Sequence, residues 1–218
     1  TLNTSTHVVV SYGPRFRDVT LVRGEAEFRV VADPDRAFRV HAGPRQVVSE
    51  QDESQFVLRR LAQDDLVLTV VRGRISVPAG RSRVPPSPSL LRARVSVGDH
   101  VFAAAEGGQL GPAWQITRSL TAQELEERIA WRSGLMIFSN EPLEDALAEV
   151  ERYTPAKFIF LDSKLRTLRL DAQVRIGEIP DVLRVLNESL EIESHVRADG
   201  TIELSRGTNA PTIPSAVL

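Results

Sequence analysis

The sequence predicts an α+β protein, with a mainly-β N-terminal domain of sandwich or solenoid type followed by a small domain built from a repeated βαβ unit. Three observations indicate this fold. Short segments before residue 120 alternate apolar and polar residues, which is the period of half-buried strands. After residue 120 the apolar residues recur at helical spacing, and one helical stripe returns 36 residues later. We therefore expect domains at 1–118 and 119–206, with a disordered tail at 207–218.

Three N-terminal segments show the alternation most clearly. In 25–31, 37–42 and 91–97 every second residue is apolar, which predicts strands with one buried face. In the first of these segments the pattern places Glu25 and Glu27 on the solvent face, opposite Ala26.

Two other segments of the N-terminal half differ from this pattern. The run 66–71 is apolar on both faces, which is typical of a central strand. The stretch 78–89 holds four prolines and predicts an exposed loop within the β domain. No helix is expected before residue 120.

Helical signals begin at Thr121. Thr121 and Glu124 have the spacing of a capping box, which predicts a helix as far as about Trp131. A second helix is predicted over 142–153, with Asn140 or Glu141 as its N-cap and Pro142 in its first turn.

The repeated unit is defined by two matching helical stripes. Leu143 and Ile179 each begin a stripe spaced i, i+3, i+4, i+7, and the second stripe lies in a third helix predicted over 179–190. Strands are expected on either side of both helices, and a last strand after the Asp199-Gly200 turn. The stripe residues are Leu143, Ala146, Leu147 and Val150, then Ile179, Val182, Leu183 and Leu186; the strands are 135–138, 157–161, 168–175, 191–197 and 201–205.

Composition and charge exclude several classes of protein. A hydrophobic content of 42% excludes a disordered chain, and no apolar run is long enough to predict a membrane span. The sequence lacks cysteine, so disulfides and thiolate chemistry are excluded. It opens without Met, so we expect it to be a fragment of a longer protein. Residues 1–120 carry 16 Arg against 12 Asp and Glu, whereas 121–218 carry 11 Lys and Arg against 17.

No residue pattern predicts a catalytic, cofactor or metal site. The histidines, His7, His41, His100 and His195, are scattered, and no Gly-x-Ser-x-Gly elbow or phosphate loop is present. Arginines do cluster at Arg92 and Arg94, with Arg81 and Arg83 in the loop nearby. Acidic residues are interspersed throughout, however, so we do not expect a nucleic-acid partner. A hydrolase would need convergent carboxylates, which the pattern does not provide.

Several stretches of the chain resemble known proteins. Segments 22–30, Val-Arg-Gly-Glu-Ala-Glu-Phe-Arg-Val, and 33–42, Asp-Pro-Asp-Arg-Ala-Phe-Arg-Val-His-Ala, are similar to the β domain of the FecR family of sigma-factor regulators. Further on, Trp131-Arg132-x-Gly134 and Glu149-x-x-Arg152-Tyr153-Thr154 resemble its C-terminal segment. The likeness runs from Thr1 to about Leu204. The repeat region is also similar to the short N-terminal signalling domain of TonB-dependent receptors and secretins.

The resemblance implies a function and a location. The chain would be the periplasmic region of a single-pass inner-membrane anti-sigma regulator, without catalytic activity. Its C-terminal part would bind the signalling domain of an outer-membrane TonB-dependent siderophore receptor. Periplasmic and intramembrane proteases would then act on the regulator, and its cytoplasmic segment would control an extracytoplasmic-function sigma factor. The alternative that stays open is a non-catalytic envelope scaffold that recognises carbohydrate or another envelope protein through the β domain.

One departure from the family pattern concerns self-cleavage. Some family members cleave themselves at a Gly-Thr pair before Phe-x-Val, and Glu53-Ser54 occupies that place here. A Cβ at Glu53 hinders the strained backbone that an N→O acyl shift needs. We therefore predict no efficient self-processing, which mass spectrometry of the purified protein would contradict by showing two chains split at 53/54.

Partner contact is predicted on exposed faces of the C-terminal repeat. Alternation along 157–161 places both Phe158 and Phe160 on one side, where they could await a partner. Aromatic and Arg side chains are also the types most enriched at binding hot spots. The predicted partner-binding residues are Trp131, Arg132, Arg152, Lys157, Phe158 and Phe160.

Overall fold

The structure, a computed structural model, describes residues 1–43, 45–49, 53–61, 65–78, 92–96, 98–103 and 115–207. The chain divides into two compact units, Thr1–Ile129 and the residues from Ala130 onward. The first unit is mainly strand and the second mixes helix and strand, which confirms the predicted α+β class.

The N-terminal unit is built on a ten-stranded sheet. Its strands are β1 (His7–Tyr12), β2 (Phe16–Val30), β3 (Ala37–Ala42), β4 (Arg45–Ser49), β5 (Ser54–Arg60), β6 (Leu66–Arg72), β7 (Ile75–Pro78), β8 (Arg92–Val95), β9 (Asp99–Ala103) and β10 (Gln115–Ser119). They pair in the order β10-β9-β6-β5-β2-β3-β4-β7-β8, and β1 pairs with β2. Buried residues from β2 to β7 form one hydrophobic cluster, so the sheet folds over a single core as in a sandwich.

Strand β2 belongs to both halves of that sheet. Its first part pairs with β1 and β3, and from Gly24 onward it pairs with β5. Leu21 points into the core before Gly24 and Ala26 points into it afterwards, so the inward positions change from odd to even numbers at the glycine. Gly24 has φ +86°, and a Cβ there would lie 2.6 Å from the Cα of Thr6. Only glycine therefore fits the corner at which β2 changes partners.

The outer face of β2 corrects one prediction. Ala26 is buried as expected, but Glu25 and Glu27 are buried too, instead of facing solvent. The N-terminal segment covers this face: Asn3 Nδ2 donates to Glu25 Oε2 at 2.8 Å. On the neighbouring strand, Gln55 Nε2 donates to Glu27 Oε1 at 2.5 Å. Hydrogen bonds to the carboxylates offset the cost of removing them from water.

The other N-terminal strand predictions are confirmed. Strand β3 buries Phe38, Val40 and Ala42, the apolar positions of 37–42. Segment 91–97 contains β8, and the run 66–71 lies in β6, an interior strand between β5 and β9. Of the predicted loop at 78–89, Pro78 ends β7 and the other residues lie outside the described ones.

The predicted capping box is present. Helix α1 (Ala122–Ile129) follows Thr121, and a 3₁₀ turn (Ala130–Ser133) follows the helix. Thr121 N–H donates to Glu124 Oε2 at 2.8 Å, and Glu124 N–H donates to Thr121 Oγ1 at 3.2 Å. Two backbone donors that the first helical turn leaves without partners are satisfied in this way.

The C-terminal unit contains the repeated strand–helix–strand sequence. Its elements are β11 (Leu135–Pro142), α2 (Leu143–Glu151), β12 (Lys157–Phe160), a 3₁₀ turn (Ser163–Thr167), β13 (Arg169–Arg175), α3 (Ile179–Leu190), β14 (Ile192–Val196) and β15 (Thr201–Arg206). Strands β11 and β13 pair antiparallel in a two-stranded sheet, and the order β12-β15-β14 forms a three-stranded sheet. The two strands of each repeat therefore enter different sheets, unlike the adjacent parallel strands of an ordinary βαβ unit.

Both helical stripes lie at the predicted positions. All four stripe residues of α2 are buried, and in α3 Val182 and Leu186 are buried while Ile179 and Leu183 are partly buried against the same core. The stripes join the inward residues of both sheets in one hydrophobic cluster. This common core explains why the same apolar spacing occurs in each repeat.

The N-cap prediction for α2 was wrong. Asn140 and Glu141 belong to β11, which stays paired with β13 as far as Pro142, the actual N-cap. Asn140 lies at the register shift of this strand with φ +52°. The first backbone donor of α2, Leu143 N–H, donates to the Leu168 carbonyl at 2.8 Å. A backbone carbonyl therefore takes the role that was assigned to a capping side chain.

The turn before the last strand is confirmed. Strands β14 and β15 are joined through Asp199-Gly200, where Gly200 has φ +83° and Asp199 Oδ1 accepts from Thr201 N–H at 2.9 Å. The predicted tail lies outside the described residues, apart from residue 207.

Candidate protein-binding surface

The three-stranded sheet of the C-terminal unit has one covered and one open face. On the covered face, Ile202 and Leu204 of the central strand β15 are buried in the hydrophobic core. On the open face, cross-strand pairing aligns Ile159, Glu203 and His195 in one row. Two of the exposed large apolar side chains among the described residues of this unit lie on this face: Ile159, 42% exposed, and Leu161, 60% exposed. The third, Val196, 55% exposed, pairs with Ile202 and lies on the other side.

The predicted alternation along β12 is present, but the side that we expected to be free faces the core. Phe158 and Phe160 are partly buried and pack against the hydrophobic cluster. The Arg166 guanidinium also lies 4.8 Å from the ring centroid of Phe160. The exposed side of the strand carries Ile159 and Leu161 instead. Four apolar residues in a row offer two equivalent faces, and only the packing of the helices decides which one is buried.

Lys157 and the end of helix α2 are joined by a carboxylate. Glu151 Oε2 accepts from Lys157 Nζ at 2.7 Å, and its Oε1 accepts from Phe158 N–H at 2.9 Å. Burial of Glu151 raises the pKa of its carboxyl, but these two hydrogen bonds and the Lys157 charge together outweigh burial and lower the pKa below its ordinary value. The carboxylate is therefore held ionised at the edge of the sheet.

Arg152 follows Glu151 at the end of the same helix. Its guanidinium forms an ion pair with Glu149 and lies 5.6 Å from the ring centroid of Tyr153. Both ionic groups of the pair are about three-quarters buried, with 24% and 27% of their side chains exposed. Arg152 is thus held close to the helix, within the same region of the unit as Lys157.

Trp131 and Arg132 lie elsewhere, in the 3₁₀ turn before β11. Both side chains are partly buried, and Trp131 Nε1 is buried without a hydrogen-bond partner. The six predicted residues therefore occupy two places, one around β12 and one before the two-stranded sheet. Contact between these residues and a partner stays a prediction.

Sequence reasoning missed Ile159, Leu161 and Ser194. The first two lie on the side opposite Phe158 and Phe160 and are the exposed apolar pair. Ser194 lies in β14, at the outer edge of the sheet, and a single serine in a polar strand has no sequence pattern that distinguishes it.

Chemistry-bearing residues do not converge in the described part of the chain. No group of three or more His, Asp or Glu residues there could hold a metal ion. His41 Nε2 lies 3.7 Å from Asp18, and this carboxylate also takes two hydrogen bonds from Arg39. Arg92 and Arg94 lie in β8, whose side chains are outside the described ones, as are residues 81 and 83.

The predicted resistance to self-cleavage concerns a buried hydroxyl. Ser54 is the first residue of β5, only 3% exposed, and its Oγ donates to Ser49 Oγ at 2.8 Å. Ser54 pairs with Val30 of β2, so its backbone is part of a regular ladder.

No helix among the described residues has both the length and the apolar character that a membrane crossing requires.

Comparison with known proteins finds a family match within the second unit. Residues 135–203 match the family FecR, C-terminal, which confirms the resemblance seen in the sequence. Two crystal structures of a candidate anti-sigma factor from Parabacteroides distasonis ATCC 8503, at 1.65 and 2.50 Å resolution, give TM-scores of 0.66 and 0.64. Each is 18% identical to this chain, and the match covers 95% of this chain and 89% of that one. At such low identity the likeness shows the fold alone. None of the curated proteins matches the chain.

Proposed function

We propose, from the premise that residues 135–203 form a FecR C-terminal domain, that this chain is the periplasmic signal-relay region of a transmembrane anti-sigma regulator. Its C-terminal unit binds the signalling domain of an outer-membrane TonB-dependent receptor. A cytoplasmic segment of the same regulator then controls an extracytoplasmic-function sigma factor, after periplasmic and intramembrane proteases have acted. The observation that carries the proposal is the FecR match, which falls within one compact unit.

The surface of that unit supports a protein partner. Ile159 and Leu161 are exposed apolar side chains on the open face, next to the exposed ammonium of Lys157. An apolar patch with a charged rim is the usual anatomy of a protein–protein contact.

We assign the β domain to 1–118 and the partner-binding domain to 119–206, and we place partner contact around Arg152 and β12.

The proposal is tested by titrating the chain with purified signalling domains of TonB-dependent receptors in a calorimeter. We expect one of them to bind, and Ile159→Asp to weaken binding about tenfold, because a charge replaces an apolar contact. Val31→Asp is the matched control, since Val31 is 70% exposed in the other unit. Failure of every signalling domain to bind the wild-type chain would contradict the proposal.

The envelope scaffold is a second candidate, and strand β1 favours it. Val9, Val10 and Tyr12 of this edge strand are exposed, which gives the β domain an apolar surface of its own. If the chain is a scaffold, Tyr12→Asp will abolish capture of carbohydrate or of an envelope protein, whereas Ile159→Asp will leave capture unchanged. The relay function predicts the opposite pattern for the receptor domain.

A further inference from the structure

The three-stranded sheet has two edge strands, β12 and β14. The hydrogen bonds to β15 show which residues of each edge strand direct their backbone N–H and C=O groups away from the sheet. Leu161 N–H donates to the Leu204 carbonyl at 2.9 Å, so the backbone groups of Leu161 point toward β15. The backbone groups of Phe158 and Phe160, at the alternate positions, point away from β15. On the other edge, Arg197 N–H donates to the Thr201 carbonyl at 2.8 Å. Counting back by twos along β14, the backbone groups of Ser194 and Val196 point away from the sheet.

Each edge is capped by a side chain from the end of its own helix. Glu151 and Asn187 occupy equivalent positions of the two repeats, 36 residues apart. Glu151 accepts from Phe158 N–H at 2.9 Å and binds Lys157 as well, whereas Asn187 Nδ2 donates to the Ile192 carbonyl at a longer 3.4 Å. The β12 cap is thus ionic and the β14 cap is neutral and weak.

Beyond Ile192, β14 is an open edge. Its pairing with β15 runs over five residues without a register shift, and no strand lies on its other side within the described part of the chain. The residues from Glu193 to Val196 are all exposed. Edge strands are normally short, bulged, capped or covered, because unpaired N–H and C=O groups accept a further strand. The Phe158 N–H of β12 is capped in this way, whereas beyond Ile192 the outward backbone groups of β14 have no such cap within the described part of the chain.

The side chains of β14 indicate the chemistry of the strand that would fit. Val196 lies on the core-facing side and is 55% exposed at the rim. Glu193 and His195 lie on the other face and are polar. A strand added to this edge would continue both faces, so it would carry apolar residues on one side and polar residues on the other.

We propose that β14 accepts an amphipathic extended strand of the partner, which pairs with the backbone groups of Ser194 and Val196. The inference rests on the proposed function, since the strand is taken to belong to the receptor signalling domain. Main-chain hydrogen bonds supply affinity in this mode of recognition, and contact with Val196 supplies selectivity.

Proline substitution tests the edge directly. Ser194→Pro removes only an outward N–H, because Ser194 makes no ladder bond to β15, and proline is tolerated on the solvent side of an edge strand. We expect Ser194→Pro to weaken binding of the receptor signalling domain about tenfold in calorimetry, while the far-UV circular dichroism is unchanged. The matched control, Ser194→Ala, keeps the N–H and will bind like the wild type.

Hydrogen exchange of the wild-type chain gives a second measurement that needs no variant. On binding, the amide protons of Ser194 and Val196 will exchange about tenfold more slowly, and the amide of Phe158 will not change. The signalling domain could bind with the same affinity to Ser194→Pro and leave the exchange rates of the Ser194 and Val196 amides unchanged. That result would overturn strand addition and leave the proposed function standing. If Ser194→Pro instead converts a wild-type dimer to a monomer in sedimentation, the occupant is a second copy, which overturns the assignment. Absence of any binding to the wild type refutes both.

Discussion

The two repeats of the C-terminal unit share a core pattern and differ at their surfaces. The stripes of α2 and α3 have identical spacing and enter one hydrophobic cluster. In the strand after α2 Glu151 accepts from Phe158 N–H, while among the described residues the strand after α3 has no such cap past Ile192. The comparison teaches that packing constrains the apolar positions of a duplicated unit, whereas its polar positions can diverge. One copy can then protect its edge while the other is available to bind.

The repeats also differ in how deeply their helices are buried. Leu147 is 2% exposed, but Leu183, its equivalent 36 residues later, is only partly buried. At this position the first repeat is more deeply buried, so we expect its leucine to contribute more to stability.

The largest expected effect comes from shortening these two leucines. Leu147→Ala will lower the free energy of unfolding by about 3 kcal/mol, because it leaves a cavity in a filled core. Leu183→Ala will cost about 1.5 kcal/mol, since part of its side chain is already in water. Urea denaturation measures both. Equal losses would show that the two repeats are buried alike in solution.

A smaller effect is expected from removing the edge caps. Glu151→Ala will lower the free energy of unfolding by about 1.5 kcal/mol, because Phe158 N–H and Lys157 lose a charged acceptor. Asn187→Ala will lower the free energy of unfolding less, on the order of 0.4 kcal/mol, since its bond is long and only partly buried. If the two variants lost similar free energies of unfolding, the two edges would be capped equally strongly, which would contradict the asymmetry.

The pH dependence sharpens the same comparison. The folded chain lowers the pKa of Glu151 below its ordinary value of 4.5, so the ionised form stabilises the fold. This contribution is complete above 4.5 and is lost as the pH falls through the folded-state pKa. In chemical denaturation, the free energy of unfolding of Glu151→Gln will therefore differ most from that of the wild type at neutral pH. The difference between the two free energies will become smaller in acid. A gap that widens in acid would contradict the assignment.

A last effect on stability concerns the hairpin that holds β14 to β15. Gly200 has φ +83°, and nothing lies within 4 Å of an added Cβ, so Gly200→Ala is disfavoured by backbone conformation alone. We expect a loss of about 1 kcal/mol in unfolding free energy and no change in receptor-domain affinity. A large loss of affinity would indicate that the hairpin itself contacts the partner.

The sequence predicted the C-terminal unit well because local signals there agree with the tertiary structure. The stripe of α3 marks a helix over 179–190, the range that the structure shows. The cap of α2 was mispredicted because Asn140 is an ordinary capping residue by type, and only the pairing of β11 with β13 shows that the strand continues to Pro142. Side-chain preference cannot report a partner that is distant in sequence.

Strand β2 shows a different limit. Only its part after Gly24 was predicted, because the inward positions change at that residue and no single alternation covers Phe16–Val30. The prediction that Phe158 and Phe160 lie on the free side of β12 was wrong for a related reason. A period of two defines two faces, but it does not tell which of them meets the core.

The corner at Gly24 has a mechanical consequence. A pull along β2 loads hydrogen bonds to β1 and β3 on one side of the corner and to β5 on the other. Displacing this strand therefore breaks hydrogen bonds in both halves of the sheet. Stretched from its ends in an optical trap, the N-terminal unit is therefore expected to rupture in one force step.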